Sequence, residues 1–405
     1  MKKIKIILGI IFLIGSIFLG ALIGSKEYKK YKIEEQLKKE MNEFKVEIIL
    51  NDKKTISIDK KTNILDYIKE TNVTLEEKEV YFDTLGKKQI ELNYVDKYNR
   101  KGTYKIELEV IDDVGPVLIA PKEIVVVQNR DRDLTDGIVC ADFVSSKVKC
   151  EVEGEYDFST LGEYKLKFKA TDELGNITKK DFTLLVVEPS NDDTYYEPEY
   201  DYFKDIYNTH KSEKTMLGID VSKWQGDIDF KAVKEAGAEF VIIRLGAYFE
   251  KEHGVDSRYE ENVRKAQEAG LKIGLYYYSE ASSIEEAKSC ADFMAKNVNF
   301  KPDLPLAYDW EDWSYYNTYN LSISDFNKAA YAFLDRVKEN GYEGMLYGST
   351  NYLEKMWRPK DYKVWVAQYY KENQYEGKTY MWQITSSGKI PGIDGVVDID
   401  ILYLD

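Results

Sequence analysis

Two carboxylates, two residues apart, end an apolar segment of the sequence. Asp309 and Glu311 follow the run Leu304-Pro305-Leu306-Ala307-Tyr308, which predicts a short buried strand at residues 306–311. Because side chains alternate along a strand, both carboxylates are expected on one face and Trp310 on the other. Like charges held close together separate their pKa values, so one carboxyl stays protonated while its partner ionises. Glycosidic bond cleavage needs such a pair, although the spacing alone also fits a solvated strand end.

The composition narrows the chemistry that is available. The chain has 405 residues, a net charge of -15 and no long basic block, so a nucleic-acid partner is not expected. Its two histidines, His210 and His253, and its three cysteines form no zinc-ligand pattern and leave little scope for a His-dependent triad. Carboxylates are therefore the expected catalytic groups, and the sequence predicts neither a metal nor a cofactor.

The N-terminal segment has the composition of a membrane anchor. Residues 6–25 carry no charge and form a run that is long enough to span a bilayer. Lysines before this run predict that the N-terminus stays inside and that the main chain lies outside the cell. We therefore predict a cytoplasmic tip and transmembrane anchor at residues 1–25 and a polar helical stalk at 26–44. A cleaved signal peptide, which would make the protein secreted, is the alternative because Ala21 and Gly24 are small.

Between residues 45 and 188 the pattern changes to short β segments, and it repeats. Residues 82–92 match residues 158–168, and Asp96 matches Asp172, at one offset (172 − 96 = 76). A repeat of this length indicates two copies of one small domain, and apolar residues alternate with polar ones in both. We predict two small β-sandwich domains, at 45–112 and 113–188. The second resembles the immunoglobulin-like modules of bacterial surface proteins, and the first is a looser version. The two β domains could serve as spacers that hold the C-terminal part away from the membrane, or they could bind the wall or its glycans.

The second β domain contains two of the three cysteines. Cys140 and Cys150 lie in the second copy, where an extracellular location would favour a disulfide. A buried pair of free thiols is the alternative, because sequence separation does not fix the distance between them.

Residues 189–215 are rich in acidic residues and tyrosine and lack an apolar period, which predicts a linker.

From residue 216 onward, predicted strands alternate with amphipathic stretches. The eight strands are predicted at residues 216–221, 240–245, 272–278, 306–311, 344–347, 363–367, 381–384 and 397–402. The alternation predicts a parallel sheet, and eight strands predict closure into a TIM-like α/β barrel. Its last third is shortened, since the final strands are too close for full helices. Chemistry in such barrels sits at the C-terminal strand ends, which would gather Asp220, Asp309, Glu311 and Asp398 in one pocket.

Several motifs of residues 216–405 closely resemble the family 25 glycoside hydrolases, the lysozymes or muramidases of Chalaropsis type. They are Gly218-Ile-Asp-Val-Ser-Lys-Trp-Gln-Gly226, Ile228-Asp-Phe230, Phe240-Val-Ile-Ile-Arg244, Gly274-Leu-Tyr276, Asp309-Trp-Glu311, Val364-Trp-Val-Ala-Gln-Tyr369, Met381-Trp-Gln-Ile-Thr-Ser-Ser-Gly388 and Val397-Asp398. The resemblance implies cleavage of the β-1,4 bond between N-acetylmuramic acid and N-acetylglucosamine in peptidoglycan. It implies that Glu311 is the general acid, with Asp309 beside it and Asp220 and Asp398 as flanking aspartates. Two positions depart from the family: Tyr277 stands where many members have His, and Asp400 where the last strand usually carries Asn.

Other side chains are candidates for contacting the glycan. Tyr276 and Tyr278 share one strand face, and Tyr276 lies in a family motif. The further candidates for stacking on sugar rings are Trp313, Tyr347, Trp365 and Trp382. Packing inside the barrel is the alternative for each aromatic residue. Arg244 is a candidate either for orienting a carboxylate or substrate, or for a structural ion pair.

Two functional hypotheses follow for this multidomain chain. The first is a membrane-tethered, extracellular muramidase that acts on the glycan strands of peptidoglycan. The second is a wall-binding or adhesion protein that uses an inactive barrel. The full set of four carboxylates favours the enzyme. The close spacing of Asp309 and Glu311 further predicts substrate-assisted catalysis with retention, in which Asp309 orients the acetamido group of the sugar.

Overall fold

Two compact units divide the chain, Met1–Asp112 and Asp113–Asp405, in a computed structural model that describes residues 2–189 and 199–404. The first unit opens with helix α1, Lys2–Glu43. The side chains of residues 1–15, 17, 18, 20 and 21 lie outside the described part, and so does most of the anchor predicted at 1–25. Within the described part, no helix is long and apolar enough to cross a membrane.

After α1, the first unit carries the first copy of the repeat. Its strands are β1 (Ile48–Leu50), β2 (Thr55–Ser57), β3 (Thr62–Asn63), β4 (Ile68–Thr71), β5 (Thr74–Leu75), β6 (Glu79–Val80), β7 (Gly86–Val95) and β8 (Lys101–Ile111). The long antiparallel hairpin β7–β8 is extended by β2, which runs parallel to β8. Ile90 and Leu92 are buried while their neighbours in sequence are exposed, because alternate residues of β7 face the core.

The second copy repeats the hairpin in the same register. Its strands are β9 (Val117–Ile119), β10 (Glu123–Val127), β11 (Val139–Ala141), β12 (Lys149–Glu153), β13 (Gly162–Thr171) and β14 (Ile177–Val187). Strands β13 and β14 begin 76 residues after β7 and β8 (162 − 86 and 177 − 101). In both turns an aspartate, Asp96 or Asp172, accepts two backbone N–H bonds. The left-handed position of the turn is Asn99 in one copy and Gly175 in the other.

The second copy also packs onto the barrel. Asn317, in the barrel loop that follows the fourth barrel strand, accepts a hydrogen bond from the backbone N–H of Cys140 at 3.0 Å. The same side chain donates to the carbonyl of Ile138 at 2.9 Å, as a strand partner would. Cys140 and Cys150 form a disulfide at this contact. The second β domain therefore supports a loop of the barrel instead of standing apart from it.

The predicted linker is shorter than expected. Residues 190–198 lie outside the described residues, but β15 (Asp201–Tyr202) and helix α2 (Phe203–His210) follow them. Strand β15 extends the barrel sheet, and Phe203 and Ile206 of α2 are buried. The linker prediction was wrong for this part because helical spacing of two apolar residues is hard to detect in so short a segment.

The barrel contains all eight predicted strands. They are β16 (Thr215–Val221), β17 (Phe240–Phe249), β19 (Lys272–Ser279), β20 (Leu306–Asp309), β21 (Gly344–Ser349), β22 (Lys363–Ala367), β23 (Met381–Lys389) and β24 (Val397–Tyr403), with β18 (Glu252–Val255) paired to the end of β17. The helices between them are α3 (Phe230–Glu235), α4 (Tyr259–Ala269), α5 (Ile284–Asn297), α6 (Ile323–Glu339) and α7 (Thr350–Lys355). A short 3₁₀ segment, Trp313–Tyr319, precedes α6.

The direction of the last strand differs from the prediction. The first seven barrel strands, β16, β17 and β19 to β23, run parallel. In contrast, β24 is antiparallel to both of its neighbours, β16 and β23, and closes the ring between them. Only residues 390–396 separate β23 from β24, and a parallel connection needs a crossover of about a dozen residues or more. The chain therefore reverses. As a result, Asp398 near the start of β24 lies beside the C-terminal ends of the other strands.

Candidate active site

The fourth barrel strand, β20, brings Asp309 to the end of the barrel at which the parallel strands have their C-terminal ends. We call this end the mouth of the barrel. All four residues of β20 are buried, and the strand ends at Asp309, two residues earlier than predicted. Glu311 therefore lies beyond the strand, on the segment that leads to Trp313. Asp309 is 5% exposed, whereas Glu311 retains access to solvent. The two carboxylates are close enough for the charge of Glu311 to act on Asp309.

Trp310 anchors the segment between these carboxylates. Its ring is fully buried and packs against Phe326 of α6 and Trp313, with centroid distances of 4.7 and 4.8 Å. Trp313 in turn stacks on Tyr352 at 3.7 Å and is 8% exposed. The structure therefore assigns Trp313 to packing, not to stacking on a sugar ring, because neighbouring side chains already cover its faces. This aromatic cluster holds the backbone on which Glu311 is presented.

The opposite side of the mouth is built from the first and last strands. In the β16–β24 pair, Asp220 lies directly opposite Asp398, and Gly218 lies opposite Asp400. A Cβ atom on Gly218 would stand 2.5 Å from the carbonyl oxygen of Phe240 on the other neighbouring strand, β17, so only glycine fits at this position. Asp220 and Asp400 are buried, and Asp398 is half-buried at the rim.

A hydrogen-bond network that the sequence did not reveal holds Asp220. Gln383 on β23 donates from Nε2 to Asp220 Oδ2 at 2.8 Å. The other end of its amide, Oε1, accepts from the hydroxyls of Tyr347 and Tyr369 at 3.0 and 2.9 Å. Gln383 occurs in one of the family motifs, directly after Trp382, but nothing in the spacing indicates its partner. Tyr347 is thus a buried member of this network.

Burial and mutual repulsion set the protonation of the four carboxylates. Burial, followed by the charges of Asp398 and Asp400, raises the pKa of Asp220 well above its usual range. Burial and the charge of Glu311 do the same to the pKa of Asp309. Glu311 keeps solvent access as a residue, yet burial of its carboxyl group and the charge of Asp398 raise its pKa to about 7. Burial raises the pKa of Asp398 to about 6. At least one proton is therefore held in this mouth near neutral pH.

Tyr276 lies among these carboxylates. Burial raises the pKa of the Tyr276 hydroxyl well above its usual range, and the negative charges of Asp220, Asp309 and Asp398 raise it further. The phenol therefore remains a neutral hydrogen-bond donor beside the acids. Tyr278 is on the same strand face, and burial followed by nearby acids also raises its pKa.

Arg244 is held by an ion pair. Its Nη2 and Nε atoms lie 2.6 and 2.7 Å from Asp256 Oδ2, a carboxylate that is 8% exposed as a residue. The structural pairing considered from the sequence is thus present. Arg244 also lowers the pKa of Asp309 by its charge, which partly opposes the effect of burial. Arg244 therefore affects the protonation of Asp309 without being a member of the carboxylate group.

A groove continues from Tyr278 and Arg244 along the surface of the barrel. Its cavity of about 480 Å³ is lined by Trp224, Phe249 and Val255, among others. Trp224 is 75% exposed, so its indole ring is free to contact a ligand. The sequence analysis did not single out Trp224, although it lies in the first family motif.

Two further tryptophans predicted as sugar platforms lie inside the protein. Trp365 and Trp382 are each 2% exposed. The indole N–H of Trp365 donates to Asp400 Oδ1 at 2.8 Å, and that of Trp382 donates to the carbonyl of Gln368 at 2.8 Å. Both residues therefore serve packing and hydrogen bonding, since neither ring has a free face for a sugar.

Comparison with known proteins identifies a family for the barrel. Residues 219–393 match the family model described as glycosyl hydrolases family 25. The autolytic lysozyme of Clostridium acetobutylicum is 31% identical over 190 residues, which are 46% of this chain and 55% of that protein. Lysozyme M1 of Streptomyces globisporus is 27% identical over 198 residues, 45% of this chain and 66% of that protein. The chain thus spans about half the length of the first of these relatives.

A solved structure covers a similar share of this chain. The family 25 glycosyl hydrolase from Bacillus anthracis covers 48% of this chain and 92% of its own, with 22% identity and a TM-score of 0.42.

Proposed function

We propose that this chain, in which residues 219–393 form a domain of glycosyl hydrolase family 25, is a peptidoglycan muramidase of Chalaropsis type. It would hydrolyse the β-1,4 bond between N-acetylmuramic acid and N-acetylglucosamine. The observation that carries the proposal is the meeting of Asp220, Asp309, Glu311 and Asp398 at one end of the barrel. The Clostridium acetobutylicum relative is an autolytic lysozyme, whose name indicates the same kind of activity.

Glu311 has the properties of the general acid. It is the most exposed member of the acidic group, so its carboxyl can approach the oxygen of a bound glycosidic bond. Its pKa of about 7 keeps it mostly protonated in mildly acidic solution and partly protonated in neutral solution. A protonated carboxyl beside the leaving oxygen supplies the proton that bond cleavage needs.

Asp309 is suited to act on the substrate itself. Its Oδ1 atom is buried and has no hydrogen-bond partner among the described residues. The N–H of an N-acetyl group is a donor that would satisfy this oxygen. Asp309 would then orient the acetamido oxygen toward the anomeric carbon, giving substrate-assisted cleavage with retention. Asp220 and Asp398 line the same mouth and would position the sugar.

Product analysis of digested peptidoglycan tests this proposal. The full-length protein is incubated with purified, dye-labelled peptidoglycan from acidic to neutral pH, with Glu311→Gln as the inactive control. Dye release is expected from the wild type, and the new reducing ends should be N-acetylmuramic acid, which borohydride reduction converts to N-acetylmuramitol for detection. Reducing ends of N-acetylglucosamine would refute muramidase activity. Sedimentation with peptidoglycan in the absence of release would favour a non-catalytic glycan-binding protein.

The cellular location is a separate part of the proposal. The uncharged run at residues 6–25 supports an uncleaved anchor that holds the enzyme at the outer face of the cell membrane. The native protein should then fractionate with membranes and keep its N-terminus. Recovery from the medium of a chain that begins near Gly24 would contradict the anchor.

A further inference from the structure

Asp400 is a buried carboxyl that the roles proposed above do not use. It is 0% exposed on β24, where it faces Gly218 of β16 and Gln383 of β23. Trp365 Nε1 donates to its Oδ1 atom at 2.8 Å. Its other oxygen, Oδ2, is also buried and meets no hydrogen-bond donor among the described residues. A buried oxygen without a donor is costly, especially when it carries charge.

Another carboxyl lies close to the Asp400 side chain. Asp220 is 6% exposed and lies within hydrogen-bonding reach of Asp400. Gln383 already donates to Asp220 Oδ2 at 2.8 Å. Two ionised carboxylates only accept hydrogen bonds, so they cannot bond to each other. One proton between them supplies the missing donor and removes one of two adjacent charges.

We propose that Asp220 and Asp400 share one proton, and that Asp400 is thereby a positioning residue for Asp220 at the mouth of the barrel. The effect on catalysis rests on the proposed function, whereas the shared proton does not. Trp365 and Gln383 each hold one of the two carboxyl groups, and the O–H···O bond fixes the groups relative to each other. A carboxamide at position 400 would donate the same bond without needing a proton.

The surrounding groups explain why the pair keeps its proton. Asp398 adds negative charge to both Asp220 and Asp400. The phenols whose pKa values reflect the charge of Asp220 belong to Tyr276, Tyr347 and Tyr369. Burial raises these pKa values, so the phenols are neutral. Arg244, the cation that acts on Asp309, is ion-paired to Asp256. Trp365 and Gln383 carry no charge, so ionising both acids would leave adjacent negative charges in a buried site.

Infrared spectroscopy of the full-length protein detects the shared proton directly. Wild type, Asp400→Asn and the exposed control Asp181→Asn are compared at neutral pH in H₂O and D₂O. The wild type and the control should show a protonated carboxylic acid band that Asp400→Asn has lost, because Asp220 can then ionise. Identical bands in wild type and Asp400→Asn would overturn the proposal. If Asp400→Asn does not fold, the reciprocal variant Asp220→Asn should lose the same band.

Thermal unfolding gives a second readout that does not need activity. An acid whose pKa is higher in the folded state stabilises the fold below its unfolded pKa, and this contribution is lost as the pH rises through the folded value. The Tm of the wild type should therefore fall more steeply than that of Asp400→Asn as the pH rises above about 4, the usual pKa of an aspartate in an unfolded chain. Parallel Tm curves for these two proteins would contradict the shared proton.

Activity tests the positioning role. Asp400→Leu removes both the donor and the acceptor, whereas Asp400→Asn keeps both. We expect kcat/KM on peptidoglycan to be at least about tenfold lower for the leucine variant than for the asparagine variant. Equal values for the two variants would overturn the positioning role. If the wild type itself releases no product, the proposed function fails, and the infrared and melting results still decide whether the proton is shared.

Discussion

The two sides of the barrel mouth hold their carboxylates by different means. On the β20 side, Asp309 and Glu311 flank Trp310, a fully buried ring packed among other aromatic residues. On the β16–β24 side, hydrogen bonds from Gln383 and within the carboxyl pair hold Asp220. Packing depends on shape and apolar area, while a buried polar network depends on the number of donors and acceptors. The first side should therefore tolerate another aromatic ring, and the second should tolerate only polar groups of the same shape.

The largest expected effect comes from the acid itself. Glu311→Gln cannot donate a proton, so kcat should fall about 10²- to 10⁴-fold, while the fold and glycan binding are retained. Dye release from peptidoglycan and sedimentation with it measure the two properties. Glu372→Gln removes an exposed carboxylate from the same barrel and should behave as the wild type. Activity of Glu311→Gln within a few-fold of the wild type would assign the proton transfer to another residue.

Removal of the packed ring on the β20 side should cost the most stability. Trp310→Ala is expected to lower the free energy of unfolding by about 3–5 kcal/mol, because it leaves a cavity among Trp313 and Phe326. Trp310→Phe should lose less. Urea denaturation of both variants measures the difference, and Trp224→Ala, at an exposed tryptophan, is the control. Equal losses for alanine and phenylalanine would show that this side does not depend on aromatic packing.

The network on the opposite side predicts a loss of stability of similar size. Gln383→Leu leaves two buried groups, the Asp220 carboxyl and the Tyr347 hydroxyl, without their partner. Each unsatisfied buried group costs about 1–3 kcal/mol. The same denaturation experiment measures this loss, with the exposed Gln374→Leu as the matched control. Unchanged stability together with full activity would show that the network is not needed to hold Asp220.

The dependence of the reaction rate on pH tests whether Glu311 is the acid. Because the pKa of Glu311 is about 7, the acid is protonated below that value and ionised above it. The rate should therefore be high in mildly acidic solution and fall by about tenfold per pH unit once Glu311 has ionised. Initial rates of dye release over this range measure it. An activity that rises steadily from acidic to alkaline pH would be inconsistent with Glu311 as the acid.

Much of the barrel follows from the sequence alone. Apolar runs bounded by turn residues located all eight strands, and the positions of Asp220 and Asp309 at strand ends followed from them. The repeat at an offset of 76 anticipated two hairpins with the same register and the same aspartate turn (177 − 101 = 76). These features are local, because burial of alternate side chains and the conformation of a turn depend on nearby residues.

Only the tertiary structure decided the rest. A hydrophobic pattern reveals that a strand exists but not its direction, so the sequence placed Asp398 in the pocket without showing that β24 runs antiparallel to its neighbours. Burial of Trp365 and Trp382 depends on side chains that approach from distant parts of the chain. The pairing of Asp220 with Asp400 likewise joins residues 180 positions apart (400 − 220). Proton sharing and packing are properties of such neighbours, and sequence spacing does not specify them.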